Sequence, residues 1–82
     1  VVGRVMEAHA DDVRAALRFA SNTAPIWQST PVEERAQCLR RAAQLLEEQM
    51  QTLIGLIVRE AGKSLPNAIS EVREAVDFLR YY

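Results

Sequence analysis

The chain has 82 residues, of which 49% are hydrophobic, and a formal net charge of −1 at pH 7. A chain of this length forms one small domain at most, and its near-neutral charge provides no field that would attract nucleic acid or an anionic membrane. The longest apolar run, residues 53–58, is far shorter than the roughly 20 residues that cross a bilayer, and no signal segment opens the chain. These features predict a cytoplasmic protein with no transmembrane segment and no nucleic-acid partner.

The first part of the chain predicts an extended tail followed by a helix. Residues 1–9 form the tail, because their valine-rich start is β-prone and no other stretch reads as a strand to pair with it. Residues 10–82 form the helical part. The first helix is predicted over residues 10–22, since acidic residues suit its first turn and apolar residues then follow at helical spacing. These residues are Asp11, Asp12, Val13, Ala16, Leu17 and Ala20.

The connection to the second helix is predicted to be a packed corner. Pro25 is expected to stop the first helix, because proline lacks the N–H that a helix interior requires. Ile26 and Trp27 then form an apolar corner that should pack. Residues 30–33 read TPVE, which has the spacing of a capping box with proline at the first helical position. The second helix is therefore expected to begin here, with Thr30 as its cap.

The second helix has two distinct faces and is followed by a more apolar segment. Polar residues 49–52 are expected to kink or break the helix, so that two helical segments either separate or fuse. The third segment, residues 53–58, is apolar nearly all round, which predicts burial between layers. Gly55 in its middle predicts a close backbone contact. The apolar face of the second helix consists of Ala36, Leu39, Ala42, Ala43, Leu46 and Met50, and the polar face of Glu34, Gln37, Arg41, Gln44 and Glu48.

The last third of the chain contains a helix stop and a new helix start within a few residues. One helix closes at residues 60–61, Gly62 suits a left-handed turn, and Ser64 is placed to cap the next helix. That helix has one apolar stripe along its whole length, which must lie against another surface. The stripe consists of Ala68, Val72, Ala75, Leu79 and Tyr82. The sequence as a whole therefore predicts an all-α chain of three to four helices.

No residue of the chain carries an obvious catalytic or metal-binding role. Cys38 falls in a helix interior beside the apolar face, and a structural thiol is the favoured interpretation, although Arg35 and Arg41 lie one turn to either side. His9 is the single histidine and is best read as a cap or surface residue. With no second histidine and no second cysteine, we expect no zinc site. The three glycines are not spaced as a phosphate-binding loop. We therefore expect no catalytic, cofactor-binding or metal residue in this chain.

Several residues of the last third occur together in an order typical of one family. These residues are Glu60, Gly62, Lys63, Ala68, Glu71, Val72, Tyr81 and Tyr82. Their order resembles the N-terminal helical region of the NAD(P)-dependent aldehyde dehydrogenase superfamily. Residues 58–82, with residues 24–27 upstream, look like the L-glutamate γ-semialdehyde (Δ1-pyrroline-5-carboxylate) dehydrogenase module of the bifunctional proline-utilisation flavoenzymes. The resemblance covers essentially the whole chain.

This resemblance implies that the chain is a fragment of a larger α/β enzyme whose nucleotide-binding domain these helices cover. The implied parent reaction is oxidation of glutamate γ-semialdehyde to glutamate with NAD⁺, while a separate FAD-dependent domain oxidises proline. The implied nucleophilic cysteine and the NAD site lie outside these residues, so the fragment alone should be inactive. Its implied partner is the rest of the aldehyde dehydrogenase module. Apolar faces left uncovered should also make the fragment self-associate.

The resemblance also implies a role near the substrate for one glutamate. In glutamate-semialdehyde dehydrogenases a glutamate of this helix stands near the aldehyde entrance, and Glu74 matches it by preceding residues 77–78, Asp-Phe, by three positions. The alternative is that Glu71, Glu74 and Asp77 form a solvated helix face near Arg73 and Arg80. Two further alternatives for the whole chain remain open, a segment of another aldehyde dehydrogenase and a free-standing helical interaction module.

Overall fold

The computed structural model describes residues 2–82, which form four α-helices. They are α1 (Ala10–Ser29), α2 (Val32–Glu48), α3 (Met50–Ala61) and α4 (Leu65–Tyr81). No strand occurs within the described residues, so the predicted all-α class is confirmed. Residues 2–9 precede α1 with exposed side chains, and residue 1 of the predicted tail lies outside the described residues. The chain divides into two compact units, Gly3–Arg35 and Ala36–Tyr82.

In the first unit, α1 ends at Ser29, about two turns beyond the predicted end at residue 22. Its start is as expected, since the backbone N–H of His9 donates to the Asp12 carboxylate at 2.9 Å. The prediction that Pro25 stops the helix is wrong, because Pro25 lies inside α1. Proline removes only one helical hydrogen bond, and the turn beyond it is closed by several others. The backbone N–H of Thr30 donates to the carbonyls of Ile26 and Trp27 at 3.1 Å each.

The predicted apolar corner at Ile26 and Trp27 is also wrong. Both residues belong to the last turn of α1, where Ile26 is 67% exposed and Trp27 48% exposed. No residue of α1 is buried. Because α1 continues through residues 26 and 27, both side chains lie on the surface of the helix and not in a connecting loop. The apolar surface of α1 is thus available for contact with another surface.

The junction between α1 and α2 differs from the prediction in the role of Thr30. The Thr30 hydroxyl donates to the carbonyl of Ile26 at 2.9 Å and so helps to close α1. The first helical residue of α2 is Val32, one position later than predicted, because the N–H of Arg35 donates to the carbonyl of Pro31 at 3.1 Å. The short connection thus satisfies carbonyls that the end of α1 leaves free.

Helix α2, most of which belongs to the second unit, has the two faces that its sequence predicts. Ala43 is buried, and the other residues of the predicted apolar face are half-buried. All five residues of the predicted polar face are exposed. The helix breaks at Gln49, whose φ of −103° and ψ of 15° fall outside the helical range, and α3 begins at the next residue. The predicted break between two separate segments is confirmed.

The structure does not bury α3 as the sequence predicts. Residues 53–58 are all half-buried and no residue of α3 is fully buried, since α4 covers part of its surface only. The expected close contact at Gly55 is also wrong, because a Cβ added there would meet only the Arg59 side chain, at 3.9 Å. The N–H at Arg59 Nε donates to the Gly55 carbonyl at 3.2 Å. An apolar surface that the sequence assigns to a core therefore remains half open.

The turn between α3 and α4 is built as predicted. Gly62 has a φ of 65° and donates its N–H to the carbonyl of Val58, which ends α3. The Ser64 hydroxyl accepts the N–H of Asn67 at 3.4 Å and caps α4. Glycine adopts this left-handed conformation without the steric conflict that a Cβ introduces.

The predicted apolar stripe of α4 is confirmed at three of its five positions and wrong at Ala75 and Tyr82. Ala68 and Val72 are buried and Leu79 is half-buried, as predicted. Ala75 is exposed, whereas Val76, which the prediction omits, is buried. Tyr82 is 81% exposed and packs edge-on against Tyr81, with ring centroids 4.8 Å apart. Residues 68, 72 and 76, four positions apart, are the buried residues of α4, whereas Tyr81 and Tyr82 at its end are exposed.

Alanine substitutions at two glycines should change stability in opposite directions. Gly62→Ala is expected to destabilise the chain by about 1 kcal/mol, because alanine at a φ of 65° is strained. Gly55→Ala should stabilise it by about 0.5–1 kcal/mol, since α3 has room for the methyl group there. Urea unfolding followed by far-ultraviolet circular dichroism measures both. Equal effects of the two substitutions would contradict the assigned turn geometry.

Candidate functional site

The residue that the sequence singles out, Glu74, lies on the exposed surface of α4. Its carboxylate makes no hydrogen bond or ion pair within residues 2–82. Its neighbours in the predicted acidic row, Glu71 and Asp77, are also exposed. The carboxylate of Glu74 is therefore accessible to a ligand or to another part of a larger protein.

The acidic row is exposed, as the alternative of a solvated face predicts, and two charged groups of α4 pair with groups outside that helix. Arg80 donates to the Glu47 carboxylate of α2 at 2.8 Å, so it joins two helices instead of pairing along α4. The Glu71 carboxylate is paired with the ammonium group of Lys63, in the turn before α4. Sequence reasoning missed both pairs, because partners 8 and 33 residues apart leave no helical spacing to detect.

Two clefts lie beside α4 in the second unit. An apolar cleft of about 290 Å³ is lined by Leu46, Leu53, Ile57, Glu71, Val72 and Ala75. A second cleft of about 400 Å³ is lined by Glu47, Met50, Arg73, Val76 and Asp77. Glu74 lines neither of them. The first cleft has an almost wholly apolar surface that suits packing, whereas the second carries charges of both signs around a small apolar floor.

Cys38 and His9, the other residues that invite a chemical role, stand apart from these clefts. Cys38 is an exposed free thiol in α2. Arg41 contacts the Glu48 carboxylate at 3.6 Å, and Arg35 donates to the carbonyl of Thr30 at 3.1 Å, so both arginines have other partners. His9 stands at the start of α1. Within residues 2–82, no three His, Cys, Asp or Glu side chains come together as a metal site.

The glycines of the described residues do not form the turn that commonly holds a dinucleotide. Gly55 lies inside α3 and Gly62 at its end, so neither is in a strand-to-helix turn, the place where backbone N–H groups commonly cradle a pyrophosphate. Gly3 belongs to the stretch before α1. In the described stretch 2–82, no helix combines the length and the apolar character needed to span a membrane.

Apolar side chains of α1 are exposed, and those of residues 53–58 in α3 are half-buried. The sequence model of the aldehyde dehydrogenase family matches residues 1–82, and the chain belongs to that family.

Three curated relatives are similar to this chain over its whole length. It is 62% identical over all 82 residues to the bifunctional protein PutA of Escherichia coli (strain K12), and it covers 6% of that protein. It is 38% identical over its whole length to the 1-pyrroline-5-carboxylate dehydrogenase 2 of Bacillus subtilis, covering 16% of it. It is 33% identical to the α-ketoglutaric semialdehyde dehydrogenase of Bacillus subtilis, covering 17%. The chain thus spans about a sixth or less of each of these relatives.

Proposed function

We propose that this chain is the N-terminal helical segment of the glutamate γ-semialdehyde dehydrogenase module of a bifunctional proline-catabolic enzyme. The observation that carries the proposal is the 62% identity to PutA across the entire chain, against 33% to the α-ketoglutaric semialdehyde dehydrogenase. The 38% identity to a 1-pyrroline-5-carboxylate dehydrogenase agrees with it, because that compound is the cyclised form of glutamate γ-semialdehyde. Another aldehyde dehydrogenase is the second candidate, favoured by the match to the family model alone.

In this proposal the complete protein uses two cofactors, both of them bound outside residues 2–82. NAD⁺ would supply a hydride acceptor for oxidation of the aldehyde, and FAD, held in a separate domain, would supply the oxidant for proline. The chain itself supplies a helical surface and is inactive alone. The test is NADH formation by the complete protein with glutamate γ-semialdehyde as substrate. An absence of NADH would contradict the proposal.

We further propose that Glu74 stands near the entrance for the aldehyde. Its exposed and unpaired carboxylate supports this role, since it can interact with the charged end of an amino-acid substrate. Glu74→Ala in the complete protein is expected to raise the KM for glutamate γ-semialdehyde several-fold and to leave the KM for NAD⁺ unchanged. Glu34→Ala, at an exposed position of α2, is the matched control. If the KM values of the two variants agree, Glu74 belongs to a solvated helix face.

The proposed partner of the exposed apolar surface is the rest of the aldehyde dehydrogenase module. Val13 and Leu17 share one side of α1 and are 51% and 67% exposed, while Phe19, on another side, is 73% exposed. Apolar side chains exposed on more than one side of a helix are suited to burial against further protein. When the 82-residue chain is produced alone, this surface should make it self-associate. Sedimentation velocity at rising concentration is expected to show dimers or larger species. A strictly monomeric chain at high concentration would count against the fragment interpretation.

A further inference from the structure

Helix α4 is held by an ion pair on each side of its buried stripe. Lys63 pairs with Glu71 on the second turn of α4, and Glu47 of α2 pairs with Arg80 on its last turn. At about 100° per residue, Glu71 lies about 100° to one side of Val72 and Arg80 about 80° to the other side. The two ion pairs therefore flank the line of contact with α3.

The apolar contact of α4 is made through small side chains along its centre. Its buried residues in α4 are Ala68, Val72 and Val76, flanked by half-buried Ile69 and Leu79, and no large side chain of the described chain is fully buried. Small side chains leave shallow ridges, so charged groups beside them add to the restraint on rotation. Two ion pairs on opposite sides resist such rotation in both directions, because a turn either way separates one pair of charges.

The direction of Glu74 depends on this rotation. By the same spacing, Glu74 lies about 160° from Val72, so it points away from the contact with α3. A side chain on the far side of a helix is displaced by several ångströms when the helix turns by a few tens of degrees, given a helix radius of about 5 Å with side chains. Glu74 has no partner within residues 2–82 to hold it independently.

We infer that Lys63 and Arg80 are positioning residues, which fix the rotation of α4 through Glu71 and Glu47 and thereby set where the Glu74 carboxylate stands. The inference rests on the proposed function, because it gives Glu74 its role toward the aldehyde. Neither Lys63 nor Arg80 needs to touch the substrate.

Charge reversal in the complete protein tests the inference. Lys63→Glu is expected to raise the KM for glutamate γ-semialdehyde at least about threefold and to leave the KM for NAD⁺ unchanged. A threefold change is within the range that a half-exposed ion pair can contribute. Adding Glu71→Lys to this variant should restore the ion pair and return the KM to its original value. Amide hydrogen exchange in residues 65–72 should be at least about threefold faster in Lys63→Glu and should return to its original rate in the double variant.

The exposed pair of Arg14 with Asp11, 2.6 Å apart in α1, supplies the matched control. Its reversal by Arg14→Asp with Asp11→Arg should change neither KM nor exchange in α4. If Glu74→Ala raises the KM but Lys63→Glu does not, the positioning role is wrong and the proposed function stands. If the double reversal fails to restore the KM, Lys63 acts by another route and the inference is overturned. If the complete protein forms no NADH at all, the proposed function fails. In that case hydrogen exchange still tests the inference, because an unchanged exchange rate of residues 65–72 in Lys63→Glu would show that the ion pair does not restrain α4.

Discussion

The complete protein is expected to oxidise glutamate γ-semialdehyde with a kcat/KM at least about a thousandfold higher than butyraldehyde, an aliphatic aldehyde of similar length. A site built to pair the α-amino and α-carboxylate groups of the substrate leaves its own buried polar groups unpaired when a simple aldehyde binds. Each unpaired group costs about 1–3 kcal/mol, and more when it is charged. The measurement is NADH formation under saturating NAD⁺ with each aldehyde in turn.

α-Ketoglutaric semialdehyde is the sharper comparison, because it keeps the carboxylate and replaces only the α-amino group with a keto group. The proposed site should prefer glutamate γ-semialdehyde over this compound by a smaller factor, on the order of tenfold to a hundredfold, since one polar partner is lost instead of two. A preference for the keto compound would assign the chain to the activity of its 33% identical relative. Equal rates on butyraldehyde would leave only membership of the aldehyde dehydrogenase family.

Val72→Asp is expected to destabilise the second unit by about 3 kcal/mol or more. Val72 is 4% exposed between α3 and α4, and an aspartate there would bury a carboxylate without a partner. A small domain has only about 5 kcal/mol of stability or a little more, so much of its helical structure should be lost at room temperature.

Ser70→Asp is the matched control for this substitution, because Ser70 is exposed on the same helix. Its effect should stay within about 0.5 kcal/mol. Thermal unfolding followed by far-ultraviolet circular dichroism measures both variants. If Val72→Asp costs no more than Ser70→Asp, then α4 does not pack through Val72 and the assigned core is wrong.

The sequence by itself determined the features that depend on a few neighbouring residues. The turn at Gly62 and Ser64 followed from one residue that tolerates a positive φ and another that caps a helix, both of which act within a few positions. The two faces of α2 followed from a repeat that its own backbone imposes. The match to the aldehyde dehydrogenase family likewise rests on the order of residues along the chain.

The tertiary structure decided which residues of α4 are buried and which charged groups pair across helices. In α4, Ala75 and Val76 are both apolar, so residue type does not tell which of them is buried. In the structure Val76 is buried and Ala75 is exposed. The pairs of Lys63 with Glu71 and of Arg80 with Glu47 exist only because the α3–α4 turn and the packing of α2 bring those charges together. Local spacing determines which side chains lie on each face of a helix. Contacts between residues distant in sequence determine which helix packs on that face and how the two helices are rotated, and a local pattern does not contain the free energy of those contacts.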